Sequence, residues 1–197
     1  MTTRKYNPDI HHRRSIRLSG YDYSMEGLYF ITICCKDKEA KFGKIEHGEM
    51  ILNDTGIIAH DEWTKLPQRF TNLQLDIFQI MPNHIHAIIV LHNVGAGLAP
   101  AQNSGQIQAG TTNQSGSNNT KAATVGDIVG AYKSLVTKHC LDNLKHYHAK
   151  VELMPFIGKI WQRNYYEHII KNEQSFQTIS AYIMNNPVNW ANDKFYR

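Results

Sequence analysis

The sequence lacks the cysteine pattern of a disulfide-stabilised protein or of a thiolate metal site. Its three cysteines are the neighbours Cys34 and Cys35 and the distant Cys140, and no two of them have the Cys-x-x-Cys spacing. An odd count without that spacing argues against a disulfide framework and against a thiolate zinc site. We therefore expect the protein to reside in a reducing compartment, the cytoplasm.

Long apolar runs are absent as well. No stretch approaches the roughly 20 apolar residues that a helix needs to cross a bilayer. The N-terminus, Met-Thr-Thr-Arg-Lys, has no apolar signal-peptide core. We expect no membrane association. The chain also has no Gly-x-x-x-x-Gly-Lys-Ser/Thr sequence, which argues against a P-loop helicase part.

Charged residues are missing from one long internal stretch. Between Asn93 and Thr120 there is no charged residue and no histidine, and small or uncharged polar residues dominate. Such a composition cannot bury enough apolar surface to offset the entropy lost on ordering. We predict a flexible low-complexity insertion over residues 94–123, inside a single domain that spans residues 1–197.

Positive charge is concentrated near the start of the chain. The composition is otherwise globular, with 42% hydrophobic residues and a formal net charge of +4. The basic N-terminal segment, residues 1–25, includes Arg13, Arg14 and Arg17 among histidines and tyrosines. Basic side chains neutralise phosphates, and aromatic rings stack on unpaired bases. The segment is therefore either a nucleic-acid contact or a solvated basic tail.

Apolar periodicity predicts an α+β protein. Strands are predicted over residues 28–35, 42–45, 50–52, 73–81 and 84–91, with a strand-like stretch over residues 156–170. Helices are predicted to begin after a cap at Asn53 or Asp54, after a capping box at Thr124 and Asp127, and at Glu173. Together these elements predict a ferredoxin-like antiparallel sheet of about five strands with flanking helices.

Two histidines stand at the start of the strand predicted over residues 84–91. His84 and His86 are two positions apart, so a strand projects both from one face, about 7 Å apart along the backbone. The preceding Pro82 and Asn83 are a turn signal. Two adjacent imidazoles could bind one divalent metal ion, or they could be ordinary polar residues at a strand end.

The last predicted helix carries Tyr182 and Asn186, which are four residues apart and so share a helix face. An asparagine carbonyl could complete a histidine site for a hard cation such as Mg²⁺ or Mn²⁺. A tyrosine one turn away could attack a phosphodiester whose oxygen the metal polarises. Alternatively, Tyr182 is a half-buried helix residue and Asn186 is a helix cap beside Pro187.

Several blocks of this sequence resemble the REP-associated tyrosine transposases, a branch of the single-tyrosine, His-hydrophobe-His transposases. The blocks are His12-Arg13-Arg14-Ser15-Ile16-Arg17-Leu18, Gly20-Tyr21-Asp22-Tyr23, Tyr29-Phe30-Ile31-Thr32-Ile33-Cys34, Met81-Pro82-Asn83-His84-Ile85-His86, Trp161-Gln162-Arg163-Asn164-Tyr165-Tyr166-Glu167-His168, and Tyr182-Ile183 before Asn185-Asn186-Pro187. The resemblance implies that His84 and His86 bind a divalent metal, Mg²⁺ or Mn²⁺. It further implies that Tyr182 is the nucleophile and that Asn186 is the third metal ligand.

The activity implied by this resemblance is cleavage of single-stranded DNA beside a hairpin. Cleavage would leave a 5′-phosphotyrosine link and a free 3′-hydroxyl, and a second strand's hydroxyl would reverse the step. Members of the family work as monomers or as homodimers in which the tyrosine helix serves the partner's metal site. The alternatives are a hairpin-binding protein that no longer mobilises DNA and a nickase of the replication-initiator or relaxase type.

Two further residues are predicted to contact DNA, and two further tyrosines are alternative candidates for the nucleophile. Lys133, on the second predicted helix, and Arg163, in the block around Trp161, join the N-terminal arginines as predicted DNA-binding residues. Tyr165 and Tyr166 are the rival nucleophiles. Strand neighbours face opposite ways, and neither tyrosine has a ligand-type residue four positions on. They are therefore predicted to be structural or DNA-contact residues.

Overall fold

The structure, a computed structural model, describes residues 25–93, 122–146 and 159–196. The strands are β1 (Gly27–Cys34), β2 (Gly43–Glu46), β3 (Glu49–Leu52), β4 (Leu73–Met81), β5 (His84–Leu91) and β6 (Tyr166–Ile170). The helices are α1 (Asp54–Thr64), α2 (Val125–His146) and α3 (Glu173–Asn185). The predicted DNA contacts Arg13, Arg14 and Arg17 lie outside the described residues, as does nearly all of the predicted insertion. Within the described ranges, no helix combines the length and the apolar character needed to cross a bilayer.

The central sheet has four antiparallel strands in the order β4-β5-β1-β6. Helix α1 connects β1 to β4 and α2 connects β5 to β6, so each crossover skips one position in the sheet. This β-α-β-β-α-β arrangement is the ferredoxin-like topology. The predicted α+β class and ferredoxin-like sheet are therefore confirmed, and α3 is an addition after the last strand.

The central sheet has four described strands rather than the predicted five, because β2 and β3 form a separate two-stranded sheet. Strands β2 and β3 pair only with each other, through a two-residue turn at His47 and Gly48. Both turn residues have positive φ, 53° and 80°, as a tight hairpin requires. The strand-like stretch predicted over residues 156–170 is a regular strand only from Tyr166. Upstream, Trp161 makes one isolated bridge to Cys35, and residues 151–158 lie outside the described ranges.

Helices cover both faces of the sheet, and β5 is consequently buried on both sides. Its odd-numbered residues, such as Ile85 and Ile89, belong to the main core, which also contains residues of α1 and α2. Ile88 faces the other way and packs with Ile183 of α3 and Ile170 of β6 in a smaller core. The face of the sheet that carries Ile88 also carries the even-numbered histidines of β5.

The predicted helix starts are confirmed in detail. The side chain of Asn53 caps α1 by accepting a hydrogen bond from the backbone N–H of Gly56 at 2.9 Å. At α2, the hydroxyl of Thr124 accepts from the N–H of Asp127 at 3.1 Å, and the Asp127 carboxylate accepts from the N–H of Thr124 at 2.9 Å. This reciprocal pair is the capping box that the sequence predicts.

A pair of glycine substitutions tests the packing of α1 against the β2–β3 hairpin. A methyl group added at Gly56 would lie 2.1 Å from the carbonyl oxygen of Phe42, which is backbone and cannot yield. We expect Gly56→Ala to lower the free energy of unfolding by about 2 kcal/mol. The matched control is Gly130→Ala in α2, where nothing lies within 4 Å of the added methyl. It should raise stability by about 0.5–1 kcal/mol, since alanine is the better helix former.

Urea denaturation of both variants beside the unchanged protein provides the measurement. Equal effects of the two substitutions, or a neutral Gly56→Ala, would contradict the close approach of α1 to Phe42.

Candidate active site

The first elements of the site are the two histidines of β5. His84 and His86 are both fully buried, and their ring centroids lie 4.4 Å apart. The strand alternation turns them toward the face that α3 covers, away from the main core. The predicted juxtaposition of the two imidazoles is therefore present in the fold.

His84 is oriented by Asn83, the second residue of the turn between β4 and β5. The Asn83 amide nitrogen donates to the carbonyl oxygens of Lys38 at 2.9 Å and Phe195 at 2.8 Å. Its Oδ1 therefore faces Nδ1 of His84, at 2.9 Å, and accepts the Nδ1 proton. This leaves Nε2 of His84 as an unprotonated acceptor. That atom is buried and has no hydrogen-bond partner among the described residues.

His86 lies between a threonine and the predicted nucleophile. Its Nδ1 is 2.8 Å from the hydroxyl of Thr32, the residue directly opposite it on β1. Its Nε2 is 3.1 Å from the hydroxyl oxygen of Tyr182. That hydroxyl donates to Oδ2 of Asp193, also at 3.1 Å. The Tyr182 hydroxyl is thus within hydrogen-bond distance of both an imidazole and a carboxylate.

Helix α3 brings Tyr182 and Asn186 to the histidines. Its apolar stripe, which includes Phe176, Ile179 and Ile183, packs on the sheet. Tyr182 lies at the edge of that stripe and is 40% exposed, so its hydroxyl can meet a substrate from solvent. Asn186, the C-cap residue, keeps helical dihedral angles and is buried, so the predicted shared face of the two residues is present.

Asn186 contributes a second unpartnered acceptor. Its amide nitrogen donates to Oδ2 of Asp193 at 2.9 Å. Its Oδ1 is buried and has no hydrogen-bond partner within the part of the chain that the structure describes. Buried polar atoms in folded proteins are nearly always paired, so Oδ1 of Asn186 and Nε2 of His84 are two acceptors that a bound cation could satisfy.

The C-terminal segment supplies Asp193, which the sequence analysis missed. Its Oδ1 accepts from the N–H of Phe195 at 2.6 Å, while Oδ2 accepts from Tyr182 and Asn186. The Phe195 ring packs 4.5 Å, centroid to centroid, from the ring of His84. Asp193 follows a 3-10 turn, Trp190–Asn192, and has no periodic relation to Asn186. No local spacing in the sequence could have linked this aspartate to the histidines.

These side chains form a donor set that could hold a metal ion. One ligand atom each from His84, His86 and Asp193 lie within 4.8 Å of one another. Asn186 Oδ1 adds an uncharged oxygen. Neutral imidazoles combined with carboxylate and amide oxygens suit a divalent cation such as Mn²⁺ or Mg²⁺. The Nδ1 atoms of the two rings are hydrogen-bonded to Asn83 Oδ1 and to the Thr32 hydroxyl, as in metal sites where such bonds orient the histidines.

Burial keeps both imidazoles in the form that binds metals. The low-dielectric surroundings lower the pKa of His84 to about 3, and the charges of Lys194 and Lys38 lower it further in the same direction. Burial, followed by the charge of His84, lowers the pKa of His86 to about 2, although Asp193 opposes the shift. Both rings are neutral at pH 7, so a cation need not displace protons to bind.

Tyr182 is protonated at neutral pH. Burial raises its pKa to about 12, with further increases from the charge of Asp193 and from the hydrogen bond to it. A hydrogen bond with Asn186 acts to lower the pKa of Tyr182. A tyrosine that attacks phosphorus must lose this proton, and Asp193 and His86 both stand within hydrogen-bond reach of it.

The rival tyrosines occupy β6 and the residue before it, beside β1. Tyr166 faces Thr32 on β1, and Thr32 in turn faces His86 on β5, so the three residues form one row across the sheet. Tyr166 is nevertheless one strand further from His86 than Thr32 is, and its side chain is 47% exposed. Tyr165 packs against the main core. Among the described tyrosines, Tyr182 is the one hydrogen-bonded to a histidine of this pair.

The predicted DNA contacts Lys133 and Arg163 lie together on another part of the surface. The Lys133 ammonium donates to the carbonyl oxygens of Gln162 at 2.8 Å and Asn164 at 3.0 Å, and so holds the segment that contains Arg163. Arg163 is exposed and lines two adjoining clefts of about 690 and 520 Å³. The remaining lysines of those clefts are Lys36, Lys38 and Lys138. These basic clefts could accommodate a phosphate backbone.

A full-length relative establishes the family. An uncharacterised protein of Haemophilus influenzae is 44% identical over 198 residues, an alignment that covers 100% of this chain and 99% of that protein. The chain belongs to the same family as that protein. No protein-family model matches the chain.

One solved structure confirms the fold that the resemblance implied, and a second is similar at a lower TM-score. A REP-associated tyrosine transposase bound to a REP hairpin aligns with a TM-score of 0.51 and 16% identity, over 90% of this chain and 77% of that one. A Deinococcus radiodurans protein with a provisional transposase assignment aligns with a TM-score of 0.44 and 16% identity, over 86% and 95% of the two chains. The first likeness shows that this family member has the fold of a tyrosine transposase.

Proposed function

We propose that the protein is a metal-dependent transposase or endonuclease that acts in the cytoplasm on single-stranded DNA at hairpin-bearing sites. The main support for this proposal is one contact in the site. The hydroxyl of a helical tyrosine, Tyr182, lies 3.1 Å from Nε2 of a buried histidine, His86. That histidine shares a potential metal site with His84 and Asp193. A transposase with the same fold has been solved bound to a REP hairpin, which favours hairpin DNA as the substrate.

The cleavage step uses Tyr182 as the nucleophile. Its oxygen attacks the scissile phosphorus while the proton passes to Oδ2 of Asp193, which already accepts it in a hydrogen bond. The bond from phosphorus to the 3′ oxygen breaks, and that oxygen takes up the proton that Asp193 received and leaves as a 3′-hydroxyl. The product is a 5′-phosphotyrosine ester, so a second 3′-hydroxyl can reverse the step without another energy source.

His84, His86, Asn186 and Asp193 would hold a divalent cation, Mg²⁺ or Mn²⁺, beside the reacting phosphate. When bound, the ion offsets the negative charge that develops on the phosphate oxygens. The protein's own contribution is to keep both imidazoles neutral and correctly oriented. Burial provides the first property, and the hydrogen bonds of the two Nδ1 atoms with Asn83 Oδ1 and the Thr32 hydroxyl provide the second.

We further propose that Tyr182 acts on its own chain's site, in a monomer. The contact between Tyr182 and His86 is made within one chain, because α3 follows β6 directly and packs on β4 and β5. A homodimer with exchanged tyrosine helices would require α3 to leave the apolar cluster that contains Ile88 and Ile183. Sedimentation of the protein with and without hairpin DNA would distinguish the two arrangements.

Incubation with a labelled single-stranded hairpin oligonucleotide and Mn²⁺ or Mg²⁺ tests the proposed chemistry. A covalent protein–DNA adduct that survives denaturing electrophoresis is the expected product, and a chelator should prevent it. Hairpin binding without an adduct under either ion would instead favour a protein that binds repeats and no longer mobilises them. An adduct that never yields rejoined DNA would favour a nickase.

The basic residues are predicted to contact phosphates. Replacement of Arg163 by glutamine should reduce the dependence of log K on log salt concentration by about 0.7, the value for one phosphate contact on single-stranded DNA. The combined Arg13→Gln, Arg14→Gln and Arg17→Gln variant should reduce it by roughly 2. Fluorescence anisotropy over a series of salt concentrations measures both slopes. Lys133 also stays a predicted contact, although its ammonium is already engaged by two carbonyls.

Arg69→Gln is the control for this charge change. Arg69 is exposed in the turn after α1, which packs on the sheet face opposite the site. Its replacement should leave the salt slope unchanged. A slope that is also unchanged in the Arg163 and N-terminal variants would show that these arginines are not DNA contacts.

A further inference from the structure

A cleft rich in asparagine adjoins the nucleophile. It has a volume of about 370 Å³ and its walls include Tyr182, Asn185, Asn186, Asn189, Asn192 and Asp193. Residues 182, 185 or 186, and 189 recur at helical spacing, because the chain continues to turn past the end of α3. The backbone N–H of Asn189 bonds to the carbonyl of Asn185 at 3.1 Å. Four amide side chains are therefore gathered beside one tyrosine hydroxyl.

Two of these asparagines have fixed orientations. The amide nitrogen of Asn185 donates to the carbonyl of Ala181 at 2.8 Å, and that of Asn189 donates to the carbonyl of Asn185 at 3.0 Å. A carbonyl oxygen can only accept, so these contacts identify which side-chain atom is nitrogen. The Oδ1 atoms of both exposed residues are thereby left as acceptors for a ligand. These two oxygens give the cleft exposed hydrogen-bond acceptors beside the Asp193 carboxylate, which already accepts from Tyr182, Asn186 and Phe195.

The charge around the cleft argues against a phosphate as its occupant. No lysine, arginine or histidine is among its described lining residues, and Asp193 adds negative charge. Two ammonium groups, those of Lys38 and Lys194, lie over the Phe195 ring at 5.0 and 4.9 Å from its centroid. Phe195 packs on His84. A DNA strand at Tyr182 would thus place its phosphate toward the histidines and a base toward the asparagines.

We propose that the asparagine cleft is a nucleobase subsite that selects the nucleotide next to the scissile phosphate. Acceptor oxygens recognise donors, so the cleft favours a base with an exocyclic amino group over thymine, which has none. Cytosine, adenine and guanine each carry such a group. The inference rests on the proposed cleavage at Tyr182 and adds to it the identity of one specificity-determining surface, formed by Asn185 and Asn189.

The test uses a hairpin oligonucleotide whose flanking single strand is randomised. The protein is incubated with this pool and Mn²⁺, and the DNA retained in covalent adducts is sequenced. We expect an amino-bearing base to be favoured about tenfold over thymine at one position beside the cleaved bond. Substitution of that base by the same base without its amino group should remove the advantage. The Asn185→Ala, Asn189→Ala double variant should reduce the preference below about twofold.

The control is Gln177→Ala, which removes an exposed amide from the same helix. The Gln177 amide donates to Glu173 at 3.0 Å in the first turns of α3, and Gln177 is not among the residues that line the cleft. The Gln177→Ala variant should retain the full base preference. If the double variant does not fold, Asn192→Ala, at an exposed lining position, should weaken the same preference. An unchanged preference in folded cleft variants would overturn the proposal.

A second readout separates this proposal from the proposed chemistry. In Tyr182→Phe no phosphotyrosine can form, yet the ring and the asparagines of the cleft remain, so anisotropy can measure equilibrium binding of oligonucleotides that differ only at the selected base. The amino-bearing base should bind about tenfold more tightly than thymine, and the added double substitution of Asn185 and Asn189 should abolish the difference. Absence of adducts with the unchanged protein would refute the cleavage proposal alone. Absence of base discrimination in this binding assay would refute the subsite.

Discussion

Replacement of Tyr182 by phenylalanine should reduce adduct formation on hairpin DNA by on the order of a thousandfold or more, since removal of a covalent nucleophile eliminates the step itself. The substitution removes the hydroxyl that lies 3.1 Å from both His86 and Asp193. It leaves the ring, which packs edge-on against Phe30 with centroids 6.4 Å apart. Because the side chain is 40% exposed, folding should be little affected. Denaturing electrophoresis measures the adduct, and anisotropy shows that the hairpin still binds.

The rival tyrosines provide controls of matched chemistry. Tyr166→Phe removes a hydroxyl from the same row of the sheet as His86 and Thr32, on the strand beyond Thr32. Tyr165→Phe alters a residue packed on the main core. Neither change should reduce the adduct more than a few-fold. If the adduct persisted in Tyr182→Phe and disappeared in Tyr166→Phe, the nucleophile would be Tyr166 and the observed contact with His86 would be structural.

The parts of the fold that the sequence predicted well depend on local rules. Strands β4 and β5 have the predicted bounds, because the alternating apolar residues at the start of β4, the continuous apolar run of β5 and the Pro82-Asn83 turn between them are local signals. The caps of α1 and α2 are also local and appear as predicted. The pairing of His84 with His86 required only strand alternation, and the shared face of Tyr182 and Asn186 required only helical spacing.

The parts that the sequence did not predict depend on contacts between residues far apart in the chain. Thr32 contacts His86 because β1 and β5 pair in one particular register, which no property of either strand alone specifies. Asn83 was interpreted as a turn residue, and its role in orienting His84 follows from carbonyls 45 and 112 positions away in the chain. Asp193 reaches the site only because the chain turns back after α3.

The metal site gives the second large effect. Saturation with Mn²⁺ at about one hundred times its dissociation constant should stabilise the native protein by about 2.7 kcal/mol, provided that the ion binds only the folded state. For a chain of this size, that corresponds to a rise in Tm of roughly 5–10 °C. The expectation rests on two buried acceptors without partners among the described residues, Nε2 of His84 and Oδ1 of Asn186, which a cation would satisfy.

His84→Ala should abolish the Mn²⁺-dependent rise in Tm, because it removes one of the two imidazoles that would bind the ion. Burial keeps both imidazoles neutral, which is the form that binds metals. The matched control is His92→Ala, which removes an exposed histidine just beyond the end of the same strand. It should retain the full rise. The comparison is made within each variant, with and without the ion, so any change in the stability of the metal-free protein cancels. An equal rise in His84→Ala and in the unchanged protein would place the stabilising ion elsewhere, and Tyr182 would then act beside a structural pair of histidines.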